Sequence, residues 1–163
     1  VLVGAPHTSN WDFVLMLALA WRLRIHIHWL GKHSLFVGWR GPIMRALGGI
    51  PVDRADPSRI VAEVVQRVQA GEEFGLVVTP DGTRSGNTHW KSGFYRIARQ
   101  AGIPVTLGYV DGPTRTAGLG PTFDLTGEVA ADMDRIREFY ADKRGVHPEQ
   151  RVEPRLREED QGD

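Results

Sequence analysis

A histidine and an aspartate stand five residues apart in the segment H-T-S-N-W-D, His7 to Asp12, directly after the apolar run Val1 to Ala5. An Asp bonded to one imidazole nitrogen fixes the tautomer and stabilises the imidazolium, leaving the other nitrogen to take a proton from a hydroxyl. This is the base and orienter of a serine hydrolase without its serine. The chain has no G-x-S-x-G elbow and no cysteine, so the attacking oxygen is expected to belong to the substrate and no covalent intermediate to form. Alone, the spacing is weak, because a His beside a helix start is more often a structural hydrogen bonder.

Three further segments follow in order. They are K-H-S-L-F-V-G-W-R-G-P-I-M-R-A-L-G-G-I-P-V-D-R from Lys32 to Arg54, T-P-D-G-T-R-S from Thr79 to Ser85, and G-I-P-V from Gly102 to Val105. With H-T-S-N-W-D they form an ordered set that resembles the glycerol-phosphate and lysophosphatidate acyltransferase family, over roughly Val1 to Val110. The resemblance implies that His7 and Asp12 are the catalytic pair. It also implies that Lys32, Asp53, Arg54, Gly82, Thr83, Arg84 and Ser85 line the site of the acceptor's phosphate, with Lys91 ahead of Gly93 as a later match. The residue types suit those roles: Arg offers a planar fork to phosphate oxygens, Lys a point charge, and Gly82 lets backbone amides approach. Singly, V-D-R is also an ordinary strand end and P-D-G-T an ordinary turn. One departure is visible: Thr79-Pro80-Asp81 stands where the family has Phe-Pro-Glu, which keeps the carboxylate, shortens its reach and removes an aromatic wall.

Carried over, the resemblance implies an O-acyltransferase of the phospholipid-biosynthesis type. It would move a fatty acyl group from acyl-CoA or acyl-carrier protein to a hydroxyl of a lysophospholipid such as 1-acylglycerol-3-phosphate, with no cofactor beyond that co-substrate. Two other readings stay open. One is a catalytically inactive lipid- or CoA-binding domain of the same fold; the other is a thioester or lipid hydrolase in which the same His acts on water. His26, His28, His33, His89 and His147 show no paired ligand spacing, so they read as structural or surface residues and no metal is expected.

These residues need a scaffold. At 163 residues, 41% of them apolar, the chain is of a size for one compact domain. Apolar runs at Val1–Ala5, Ile25–Leu30, Ile50–Val52, Phe74–Val78 and Pro104–Val110 read as strands. Between them, Asn10–Arg24, Phe36–Leu47 (interrupted near Gly41-Pro42), Ser58–Ala70 and Gly93–Gln100 read as helices, with a last helix at Met133–Tyr140. This alternation predicts an α/β single domain, a mostly parallel or mixed sheet covered by helices on both faces, with chemistry at the loops beyond the strand ends. The domain is expected over 1–148, and residues 149–163 as a charged, disordered tail.

The formal charge is zero, so no global field draws the molecule to nucleic acid. Residues 13–52, however, contain no Asp or Glu while holding Arg22, Arg24, Lys32, Arg40 and Arg45. That stretch, with Phe36, Val37, Trp39 and Arg40 side by side, reads in two ways: as a face that meets a membrane surface, giving a cytoplasmic protein peripheral at the cytoplasmic membrane face, or as apolar residues of the core. The longest apolar run is too short to span a bilayer. The chain opens at Val1 without a methionine, and whether an N-terminal membrane-docking segment precedes it is left open by the sequence. Oligomeric state has no signal.

Overall fold

In the computed structural model the described residues are 1–52, 57–72, 75–81 and 88–161. The strands are β1 (Leu2–Gly4), β2 (Ile27–Lys32), β3 (Gly49–Val52), β4 (Gly75–Val78), β5 (Val105–Asp111) and β6 (Thr116–Phe123). The α-helices are α1 (Asn10–Arg22), α2 (Arg40–Ala46), α3 (Pro57–Gln69), α4 (Gly93–Ala101) and α5 (Val129–Tyr140). One sheet holds all six strands in the order β3-β2-β4-β1-β5-β6. The first five run parallel and β6 closes the edge antiparallel to β5. This is the mixed α/β sheet predicted from the alternation of elements.

Side chains alternate across a strand, and the alternation sorts the helices. On one face Val3, Leu76, Val105 and Leu107 pack beneath α3, α4 and α5, against Val64, Phe94, Ile97, Met133, Ile136 and Tyr140. On the other, Trp29 and Val77, with Leu2 and Ile27, pack against Met16 and Leu17 of α1, Met44 of α2 and Phe36. Each apolar side chain buried this way contributes about 1.5–3 kcal/mol. Helix ends follow local chemistry. Ser9 caps α1 with its hydroxyl, and Gly102 ends α4 at φ 63, a left-handed position a residue with a Cβ adopts at a cost.

Four expectations change. The interrupted helix of 36–47 is instead a 3-10 turn, His33–Phe36, and a short α2 that starts beside Gly41-Pro42, where a proline costs no intrahelical hydrogen bond. Strand β6 is not among the expected strands, because an edge strand exposed along most of its length carries no apolar run. Phe36, placed on a lipid-facing patch by one of its two readings, is buried, 5.8 Å from the Trp29 ring and beneath the Arg45 guanidinium. Residues 149–161, expected to fray, are packed: Leu156 is 1% exposed, the Trp90 N–H donates to the Arg155 carbonyl at 2.7 Å, and Arg137 pairs with Glu159 at 2.7 Å. The tail's charges find partners on the domain, which composition alone does not reveal.

Candidate active site

Because β3, β2, β4 and β1 are parallel neighbours, their C-terminal ends lie along one edge of the sheet. The chain leaves β1 towards His7, β4 towards Asp81, and β2 at Lys32, whose register partner is Val52 at the end of β3. Lys32 is exposed and two strands from β1, about 10 Å away. The Lys91 N–H donates to the Pro80 carbonyl at 2.7 Å, which places its backbone beside the exit of β4. The other expected phosphate-site residues, Asp53, Arg54, Gly82, Thr83, Arg84 and Ser85, lie outside the described residues.

The turn from His7 into α1 is built around the Asp12 carboxylate. Its Oδ2 accepts from the backbone N–H groups of Thr8 and Ser9, both at 2.6 Å, and from the Thr8 hydroxyl at 3.3 Å. Asp12 thus reaches back to cap the helix whose first turn carries it, where the helix dipole also favours a negative charge. Its second oxygen, Oδ1, is buried and has no hydrogen-bond partner among the described residues. A buried carboxylate oxygen left open is costly unless some donor meets it, and it is the oxygen available to an imidazole N–H.

Asp81 joins this pair from the next strand. It is 4% exposed, and its Oδ2 accepts the backbone N–H of His7 at 2.5 Å. Burial pushes its carboxyl up to about 6, the hydrogen bond from His7 opposes that rise, and the nearby Asp12 charge adds to it. The carboxylate that Thr79-Pro80-Asp81 shares with the Phe-Pro-Glu pattern, here one methylene shorter, therefore holds the main chain of the histidine. The sequence does not disclose that role, although the departure itself is the signal.

A raised native pKa has a consequence for stability. Between the unfolded value of 3.8 and the native value of about 6, the folded state binds the proton more tightly. The contribution is therefore full below pH 3.8 and is lost as pH rises through about 6. A rise of this size corresponds to about 3 kcal/mol. Asp81→Asn removes the titration while keeping an oxygen for the His7 N–H. Chemical denaturation of both proteins from about pH 4 to about pH 8 should show the variant gaining about that much relative to wild type. A stability difference that stays constant over this range would show that Asp81 titrates normally.

Between α1 and the sheet runs an apolar groove. His7 and Asp12 line it at the N-terminal end of α1, Leu15, Met16, Leu19 and Leu23 line it along the helix, and Leu2, Ile27, Val77 and Leu119 come from the strands. Its cavity volume is about 60 Å³, and its lining continues along α1 as far as Leu23. Among the described residues no group of three or more His, Cys, Asp or Glu side chains gathers to hold a metal ion.

A family model described as Acyltransferase matches residues 1–107. The chain is also 30% identical over 122 residues to a 1-acyl-sn-glycerol-3-phosphate acyltransferase of Streptococcus pneumoniae (strain ATCC BAA-255 / R6), an alignment covering 72% of this chain and 44% of the relative. The chain thus spans less than half of that relative's length. No solved structure matches it.

Proposed function

The chain belongs to the acyltransferase family, and we propose that it moves a fatty acyl group from an acyl thioester, acyl-CoA or acyl-carrier protein, to a hydroxyl of a lysophospholipid such as 1-acylglycerol-3-phosphate. The observation that carries this reading is the placement of His7 and Asp12 at the end of an otherwise apolar groove. From Asp12 to Leu23 the groove follows α1 for about 16 Å at 1.5 Å per residue. Each methylene removed from water there contributes about 0.8 kcal/mol, and the thioester carbon is brought to the histidine at the end.

In this mechanism the His7 imidazole takes the proton of the acceptor hydroxyl as its oxygen attacks the thioester carbonyl carbon. The tetrahedral intermediate collapses with loss of the carbon–sulfur bond, and the imidazolium returns the proton to the departing thiolate. Asp12 stabilises the imidazolium between the two steps. The site of the acceptor's phosphate would be lined by Lys32, Asp53, Arg54, Gly82, Thr83, Arg84, Ser85 and Lys91, a set that rests on the family pattern.

Incubation with labelled palmitoyl-CoA and a panel of lysolipids, with products identified by mass, tests the reading. Acylated lysophosphatidate is the expected product, and an alcohol of similar length lacking the phosphate should be a poor acceptor. Free fatty acid alone would indicate a hydrolase, and no turnover a binding domain.

The same reading places the protein at a lipid surface, with α1 and α2 facing it. Trp11, Trp21, Val37 and Trp39 are all more than half exposed, and Arg40 lies 5.5 Å over the Trp39 ring within the acid-free stretch. Among the described residues no helix is long and apolar enough to cross a membrane. Apolar side chains interleaved with arginines suit an anionic bilayer surface, where each cation adds about 1 kcal/mol. Trp39→Asp combined with Arg40→Glu should lower binding to anionic vesicles at least about 10-fold in a flotation assay. Unchanged flotation of the folded double variant would remove this face from the proposal.

A further inference from the structure

The strongest unassigned feature lies beside the catalytic turn and comes from the far end of the chain. Thr8 is 0% exposed, a buried hydroxyl between His7 and the helix cap. Its Oγ1 accepts the backbone N–H of His147 at 3.0 Å and donates to Asp12 Oδ2 at 3.3 Å. A threonine hydroxyl has one proton; the bond from His147 occupies a lone pair and leaves that proton for the carboxylate. The contact is close on the other side as well. Gly145, at φ 72, lies so near that a Cβ there would meet the Thr8 Oγ1 and Cγ2 at 2.8 Å.

The strap that makes this contact is itself fixed. The Arg144 N–H donates to Asp111 Oδ1 at 2.8 Å, and the Gly145 carbonyl accepts from the Gly112 N–H at 2.9 Å. Asp111 ends β5, so residues 144–147 are tied to the sheet edge that also carries His7. Just before them, the Tyr140 hydroxyl shares its one proton between the Gly108 and Val3 carbonyls, at 2.8 and 3.0 Å, joining α5 to β5 and β1. All of this strap lies beyond residue 107, where the family match ends.

We infer that Thr8 is a positioning residue for the His7–Asp12 pair, and that the strap Arg144–His147 belongs to the catalytic apparatus because it orients the Thr8 hydroxyl. Three donors, the N–H groups of Thr8 and Ser9 and the Thr8 O–H, saturate Asp12 Oδ2. That fixes the carboxylate's rotation and leaves Oδ1, the oxygen without a partner among the described residues, as the acceptor for the imidazole. Without the hydroxyl the carboxylate keeps only the two N–H donors of its own turn, so its orientation is held less tightly. The imidazole then loses a fixed acceptor, and with it a single tautomer.

This inference rests on the acyl-transfer reading, and the experiment separates the two. Thr8→Val keeps the shape and removes the hydroxyl; Thr8→Ser keeps the hydroxyl. With palmitoyl-CoA and lysophosphatidate, Thr8→Val is expected to lower kcat about 10-fold, the lower end for a bond to a charged group, with KM for both substrates nearly unchanged. Thr8→Ser should recover most of the loss. Independently of turnover, the ring 15N shifts of His7 at a pH where it is neutral should report one tautomer in wild type and Thr8→Ser and a mixture in Thr8→Val. Wild type without transferase activity would overturn the functional reading while leaving the tautomer test intact. A Thr8→Val protein with a single unchanged tautomer and normal kcat, or one whose losses serine does not recover, would overturn the positioning role.

Discussion

His7→Ala is expected to lower acyl-transfer turnover by about 10²–10⁴-fold, the usual size of a general-base contribution, with thioester binding nearly unchanged. The structure makes the comparison clean. Asp81 grips the main-chain N–H of residue 7, which alanine retains, so the turn into α1 keeps its hydrogen bonds. The apolar groove that would hold the acyl chain is lined mainly by α1 and the strands. Turnover measured by product mass, beside equilibrium binding of palmitoyl-CoA, separates chemistry from affinity. Near-normal turnover in the alanine variant would sink the mechanism.

Asp12→Asn should be nearly as damaging to turnover, for a reason visible in how the two carboxylate oxygens are used. The amide oxygen can take the place of Oδ2 and go on accepting from the Thr8 and Ser9 N–H groups. The cap on α1 then loses only its charge, about 0.3–1 kcal/mol for a group near a helix N-terminus. The amide NH₂ must then occupy the place of Oδ1, putting a donor where the imidazole N–H needs an acceptor and leaving the imidazolium without its counter-charge. Turnover is therefore expected to fall by about 10²–10⁴-fold while the unfolding midpoint moves little. The His7→Ala, Asp12→Asn double variant should lose little more than either single variant, because the pair acts as a unit. Additive losses would mean that Asp12 serves the fold and not the histidine.

The local geometry of the turn from His7 to Asp12 is legible in the amino-acid sequence. His7 and Asp12 are close in the chain, and a helix start is a local event: Ser9 as cap and Asp12 three residues on are a sequence pattern with a single geometry. Gly102 after α4 is of the same kind. What the sequence hides is contact at long range. Phe36 looks like any aromatic beside Val37 and Trp39, yet it is core because Trp29 of β2 is there to receive it. Residues 149–161 have a disordered composition, yet Trp90 and Arg137 supply an apolar seat and a counter-charge from elsewhere.

Residue types, their helical and strand periods, the caps and the order of the motifs are thus determined by the sequence itself, because each depends on hydrogen bonds or steric preferences within a few residues. Which loops meet is decided only by the tertiary structure. The order β3-β2-β4-β1-β5-β6 sets the exit of β4 beside that of β1, so Asp81 meets His7 across 74 positions, and the strap at His147 meets Thr8 across 139. The physical reason is that strand pairing and burial couple distant segments without leaving a local trace. Asp81 carries the same carboxyl in any sequence, and only its removal from water beside Asp12 raises its proton affinity.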